Sequence, residues 1–253
     1  MENEPDCDLY RREEDAFKII APKIKEFADY AIDIYNLAFA LEKDLYGQPY
    51  GKLPDIAETQ LIILLRITDY LRAAVLLATR GYIDQAGTLG ASIFELAHTA
   101  LYFSSFPEER RKWWNSTSLI DSTAVKEEMP KLLGKTWYEI VLTNVDGDKK
   151  IASKEYNIYR QLCWMKHSLP QLVSTLRINW EKKTVSLVSA PYYDETAIYN
   201  GSFVLFHISK LAELVIQSLV TSFDTKFSNE LEKLAPRSKN LAEKLASKNY
   251  ETA

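Results

Sequence analysis

Apolar residues recur every three or four positions in several long segments of this chain, which is the spacing of a buried helix face. The first stripe consists of Ile24, Phe27, Ala31, Ile34, Ala38 and Leu41. Pro22 suits the first position of a helix, and glycines and a proline follow Tyr46. These signals predict a first long helix from about residue 22 to 46.

Two more long helices are predicted between residues 54 and 103. The second begins near Asp55 and ends at Gly81, and the third runs from about Ile83 to Phe103. The run LIILL at 61–65 is apolar on all sides, which is typical of a helix at the centre of a bundle. Because almost no loop separates the two helices, we expect them to pack as an antiparallel hairpin.

The second half of the chain alternates irregular and helical segments. Residues 107–150 predict an irregular insertion, in which PEERRKWWN is compatible with a short helix. A helix follows over about 153–168, and the segment LRINWEKKTVSLVS alternates as a short β-hairpin or an ordered arm would. A last long helix should start at Asp194, a good N-cap, and reach Phe227.

The predicted fold class is therefore all-α, a helical bundle of about five to seven helices with an irregular insertion and room for one short β-hairpin. Only 8 of the 253 residues are glycine, which favours long helices over turn-rich β folds. We expect a disordered acidic arm over residues 1–15, a single helical domain over 16–228, and a charged amphipathic tail over 229–253, broken at Pro236.

Charge and composition limit the classes of function that this chain can have. The chain has a net charge of −4, and residues 1–15 alone hold seven acids and two bases, so the rest is close to neutral. This balance disfavours a broad phosphate-binding surface. Two cysteines give no disulfide framework. The N-terminus lacks an apolar stretch, and three charges interrupt the apolar run 61–79, so we expect a cytoplasmic protein with no membrane partner.

The pair Arg160 and His167 is the first candidate for chemistry. Seven residues make nearly two helical turns, which puts both side chains on one face about 10 Å apart. A guanidinium binds phosphate and an imidazole exchanges protons near neutral pH, the two requirements of RNA cleavage through the 2′-hydroxyl. The alternative is structural, with Arg160 in an ion pair and His167 hydrogen-bonded to a helix end.

The helical hairpin LRAAVLLATRGYIDQAGTLGASIFELAHTALYF, followed by a helix in which six residues separate an Arg from a His, resembles the HEPN superfamily. The resemblance covers residues 55–105 and 153–227. It implies a helical bundle that acts as a homodimer, often as a metal-independent ribonuclease of a bacterial defence or toxin–antitoxin system. It also implies that Arg160 and His167 are catalytic. RNA and an antitoxin protein would be partners, and no cofactor is expected, although other members are inactive binding modules.

Glu95 is expected in the middle of the third helix among apolar neighbours, where a carboxylate needs a partner. One hypothesis is that Glu95 orients Arg160 or His167. The other is a structural ion-pair network that includes Arg66 and Asp69.

Residues 144–155, NVDGDKKIASKE, are similar to an EF-hand calcium loop. Asn144, Asp146, Asp148 and Glu155 occupy ligand positions, but Lys149 stands where the loop requires a glycine. A polar loop between helices is the alternative. No P-loop, dinucleotide-binding, HExxH or CxxC motif occurs. The competing functions are therefore a ribonuclease, a non-catalytic helical module that binds a protein, and a calcium-binding protein.

Overall fold

A computed structural model describes residues 9–46, 55–118, 133–166, 176–179, 184–187, 191, 194–223 and 227–248. These residues form nine α-helices and two short strands. The helices are α1 (Leu9–Lys23), α2 (Lys25–Tyr46), α3 (Asp55–Thr79), α4 (Ile83–Ser105), α5 (Pro107–Ser118), α6 (Trp137–Asn144), α7 (Lys149–Lys166), α8 (Glu195–Phe223) and α9 (Ser228–Lys248), and the strands are β1 (Leu176–Asn179) and β2 (Thr184–Leu187). The predicted all-α bundle is confirmed, with nine helices in the described residues where about five to seven were expected.

Helices α3 and α4 form the predicted hairpin at the centre of the bundle. The chain reverses at Gly81, whose φ of 84° is a left-handed conformation that glycine adopts without strain. The amide of Tyr82 closes the turn by donating to the carbonyl of Leu77 at 2.9 Å. Helix α8 packs against α2, α3 and α4, and α7 also packs on α4.

Two glycines of α4 allow α7 to approach closely. A Cβ atom at Gly87 would overlap Sδ of Met165 and lie 2.8 Å from its Cβ. At Gly90 the same atom would lie 2.9 Å from Leu162 and 3.2 Å from Ile208 of α8. Larger side chains at these two positions would force the helices apart. The glycines therefore set the position of α7, the helix that carries Arg160.

The N-terminal prediction is wrong in two respects. The expected disordered arm ended at residue 15, yet residues 9–15 belong to α1. Ala16 and Ile20 of this helix are fully buried, and their packing stabilises a segment whose composition suggested disorder. Pro22 lies inside the last turn of α1 instead of starting a helix. The interruption falls at Ile24, after which α2 begins.

The C-terminal segment also differs from the predicted tail. Helix α9 is continuous through Pro236 and packs on α2 and α8. Arg237 pairs with Asp33, and Lys244 pairs with Glu26, both on α2. Residues 228–248 are thus part of the bundle.

The remaining expectations concern the insertion and the hairpin. Helix α5 is the predicted short helix, and α6 begins at a capping box in which Thr136 and Glu139 exchange hydrogen bonds. Residues 119–132 lie outside the described part of the chain. Strands β1 and β2 pair antiparallel, with Leu176 opposite Leu187, as the alternating pattern predicted.

Among the described residues, one helix is long and apolar enough to cross a membrane by length and composition alone. It is the segment Glu195–Thr221 of α8, whose most apolar window has a mean hydropathy of 1.6 and is 72% buried inside the bundle. A central core helix meets the same criteria.

Candidate functional site

The outer face of α7 holds the first candidate residue. Arg160 is exposed, and its guanidinium lies 5.4 Å from the ring centroid of Trp164, one helical turn further along. This spacing and distance make a cation–π contact. No ion pair joins Arg160 to any carboxylate in the described part of the chain, so its guanidinium donors face solvent. The contact with Trp164 restricts the arginine without occupying those donors.

The inner face of the same helix is fixed to α4 by Tyr159. The hydroxyl of Tyr159 donates to Oε1 of Glu95 at 2.7 Å, and its ring stacks on Phe94 with centroids 4.6 Å apart. Burial and the hydrogen bond to Glu95 raise the pKa of Tyr159, so the hydroxyl remains a proton donor. Trp137 and Tyr156 lie beside the ring, with centroids 6.1 and 5.9 Å from it. Arg160 therefore follows a residue that is held firmly in place.

His167 lies outside the described residues, directly after Lys166, where the description of α7 ends. The predicted pairing of Arg160 with His167 on one helix face stays a prediction.

Glu95 is bonded to a tyrosine and not to Arg160 or the expected ion-pair network, while a contact with His167 stays a prediction because His167 lies outside the described residues. Within the described chain, no hydrogen bond or ion pair joins it to Arg66, Asp69 or Arg160, and its carboxylate accepts from Tyr159 instead. Arg66 is exposed with its guanidinium 5.5 Å from the ring centroid of Tyr70. Asp69 lies near Glu42 of α2. The pKa of Glu42 is raised by burial and, to a smaller extent, by the negative charge of Asp69.

A buried polar contact joins α4 to α6. His98 is 2% exposed, and its ring centroid lies 4.3 Å from that of Phe94. Nδ2 of Asn144 donates to the carbonyl of His98 at 2.9 Å and lies 3.2 Å from Nδ1 of the imidazole. This assigns Nδ1 as the acceptor and places the ring proton on Nε2. Burial lowers the pKa of His98 to about 3, so the ring is neutral.

Two of the predicted calcium-loop residues, Asn144 and Asp148, make hydrogen bonds at the end of α6 and the start of α7. Asn144 is engaged by His98, and Oδ1 of Asp148 accepts from the amides of Lys150 and Ile151 at 2.9 and 3.0 Å, as an N-cap does. Asp146 is exposed, while Glu155 is half-buried on α7. No group of three His, Cys, Asp or Glu among the residues described is placed to hold a metal ion. Calcium binding stays a prediction.

Comparison with family models, with curated proteins and with solved structures finds no match for this chain.

Sequence reasoning missed the side chains that surround Arg160. The four-residue spacing of Arg160 and Trp164 was a signal for their contact, because residues i and i+4 share a helix face. The Tyr159–Glu95 bond had no comparable signal, since the two residues are 64 positions apart.

Proposed function

We propose that this protein is a HEPN-like, metal-independent ribonuclease of a bacterial defence or toxin–antitoxin system. Arg160 would bind the scissile phosphate, and His167 would be the general acid/base. The observation that supports this proposal most is the exposure of Arg160 on a firmly packed helix, with no carboxylate partner in the described part of the chain. Its exposed guanidinium donors are available to the oxygens of a phosphate.

The proposed chemistry requires only proton transfer and charge stabilisation. A neutral imidazole takes the proton of the 2′-hydroxyl, and that oxygen attacks the adjacent phosphorus. The bond from phosphorus to the 5′-oxygen breaks, and this oxygen receives a proton from an imidazolium. The products are a 2′,3′-cyclic phosphate and a 5′-hydroxyl end. The guanidinium of Arg160 stabilises the negative charge that develops on the phosphoryl oxygens. A homodimer would supply a second imidazole.

The test is cleavage of a mixed RNA pool by purified protein in EDTA, beside Arg160→Ala and His167→Ala. Arg80→Ala is the matched control, because Arg80 is also an exposed arginine over an aromatic ring, 5.6 Å from the centroid of Phe17. We expect the wild type and Arg80→Ala to cleave, and both other variants to lose at least 100-fold in rate, on the order of one removed transition-state contact. Equal cleavage by all four proteins would refute both assignments.

The second candidate is a non-catalytic module that binds a protein partner, such as an antitoxin, through α2. Ile32 and Phe39 of this helix are 44% and 54% exposed, and their seven-residue spacing puts them on one face. Apolar side chains grouped on a surface favour protein contacts. A partner captured by wild type and by Arg160→Ala, but lost with Phe39→Ser, would support this module. Capture by all three proteins would exclude α2 as the binding surface.

A further inference from the structure

Helix α7 carries an unusual concentration of positive charge. Residues 149–166 include five cations and one acid, although the whole chain has a net charge of −4. Four of the five, Lys149, Lys150, Lys154 and Arg160, are exposed. Its one acid, Glu155, is half-buried, and no ion pair joins it to these four cations in the described part of the chain.

Many exposed cations of the other helices are paired with acids, although Arg66 of α3 and Arg80, which follows that helix, are exposed without an ion pair among the described residues. Lys23 pairs with Glu195 at 2.9 Å, and Lys112 with Glu109 at 3.0 Å. Further pairs neutralise the exposed basic side chains of Lys18, Lys25, Arg111, Lys233 and Lys244. No ion pair is made by the four exposed cations of α7 within the described residues. Their charge is therefore available to an external anion.

Four exposed side chains of α7 and the half-buried Trp164 form one line along the helix, which we call the α7 stripe: Lys150, Lys154, Asn157, Arg160 and Trp164. Successive members are three or four residues apart, so they lie on one face. At a rise of 1.5 Å per residue the stripe is about 21 Å long. Trp164 is half-buried, does not belong to the hydrophobic core, and makes a cation–π contact with Arg160.

We propose that the α7 stripe binds single-stranded RNA, with phosphates along Lys150, Lys154 and Arg160 and a base stacked on the Arg160–Trp164 pair. This inference rests on the proposed function, because it assigns the surface that leads the substrate to Arg160. Cations with an aromatic ring at one end are the combination by which proteins hold unpaired strands. A duplex keeps its bases stacked and could not use the ring. A membrane-surface helix would need a broad apolar face, which this stripe lacks.

The test measures binding apart from cleavage, using a fluorescent 2′-O-methyl RNA 12-mer that cannot form a cyclic phosphate. Fluorescence anisotropy across a range of salt concentrations compares wild type with the Lys150→Ala/Lys154→Ala double variant. The matched control is Lys18→Ala/Lys25→Ala, which removes the same charge from α1 and α2. We expect only the α7 variant to weaken binding, and its slope of log affinity against log salt to become shallower by about 1.4, the value for two lost phosphate contacts.

Trp164 tests the stacking step. Trp164→Leu should weaken binding roughly 5- to 150-fold, the range for one lost base-stacking contact, whereas Trp164→Phe should keep most of the affinity. Circular dichroism of each variant confirms that α7 is still folded. Equal affinities for wild type and Trp164→Leu would remove the stacked base from the proposal.

Cleavage of ordinary RNA by the same proteins separates this inference from the proposed function. If wild type cleaves RNA and both double variants bind the 12-mer as tightly as wild type does, RNA binding by the α7 stripe is refuted and the proposed nuclease activity is supported. If only the Lys150→Ala/Lys154→Ala variant loses binding and none of the proteins cleaves RNA, RNA binding by the α7 stripe is supported and the nuclease activity is refuted. Tighter binding to anionic phosphatidylserine vesicles, or to duplex RNA, than to the single strand would also overturn the stripe.

Discussion

Mild acid should destabilise this protein through His98. Its imidazole is 2% exposed, and burial lowers its pKa to about 3, against about 6.5 in an unfolded chain. The folded state therefore keeps the ring neutral, while the unfolded state binds a proton as the pH falls below 6.5. The stabilisation is fully present above that pH, and it is lost progressively as the pH falls towards 3.

The size of the effect follows from the separation of the two pKa values. Each pH unit below 6.5 costs about 1.4 kcal/mol, so lowering the pH from 7 to 5 removes about 2 kcal/mol through His98 alone. That is a large part of the roughly 5–15 kcal/mol that stabilises a typical domain.

The assay is urea unfolding of wild type and His98→Gln, followed by far-ultraviolet circular dichroism at about pH 7 and pH 5. Glutamine has an amide that can still face Asn144, but it does not titrate. The carboxylates and His207 also titrate, but they are present in both proteins, so their contributions cancel in the comparison. Burial, and then the charge of Lys154, lower the pKa of His207 to about 4. We expect the free energy of unfolding to fall by about 2 kcal/mol more in wild type than in the variant. Equal losses would refute the buried neutral imidazole.

The remaining predictions concern packing and the residue-148 loop. Gly87→Ala should lower the free energy of unfolding by about 1–3 kcal/mol, because the new methyl group would overlap Met165, as thermal or urea unfolding would show. Gly201→Ala is its control: the nearest atom would be 3.2 Å away, and the helix propensity of alanine should make this change neutral or stabilising, so equal losses would contradict the close-approach argument. Asp148→Ala should cost about 1 kcal/mol through the lost helix cap. Calcium should leave the Tm of wild type unchanged in a thermal shift assay, since Asp148 is occupied as a cap, and a rise that Asp148→Ala abolishes would restore the calcium hypothesis.

The central helices could be predicted because their signals are local. The apolar periodicity of 55–79 and 83–105 and the glycine at 81 specify two helices and the turn between them within one stretch of sequence. Helix α1 was missed because its first half is charged and its burial depends on two residues, Ala16 and Ile20, packing on distant helices. The composition of a segment shows its polarity, but it does not show which of its residues pack against distant helices.

The candidate site was predictable in its residue types and not in its contacts. Arg160 was identified from the chemistry of a guanidinium, but its exposure depends on how α7 rotates against Gly87 and Gly90 of α4. Glu95 was correctly expected to need a partner, yet that partner was sought among arginines. A tyrosine hydroxyl satisfies a half-buried carboxylate without bringing a second charge into the bundle, and sequence patterns give no distance between two helices.

The order of the helices along the chain has a consequence for synthesis on the ribosome. Helices α3 and α4 are complete by residue 105, but α8, which covers both of them, ends at residue 223. The ribosome must add about 120 further residues, which takes roughly 6 to 24 seconds at ordinary elongation rates. During that interval the most apolar faces of the α3–α4 hairpin lack their cover. A chain truncated before residue 195 should therefore aggregate or bind chaperones.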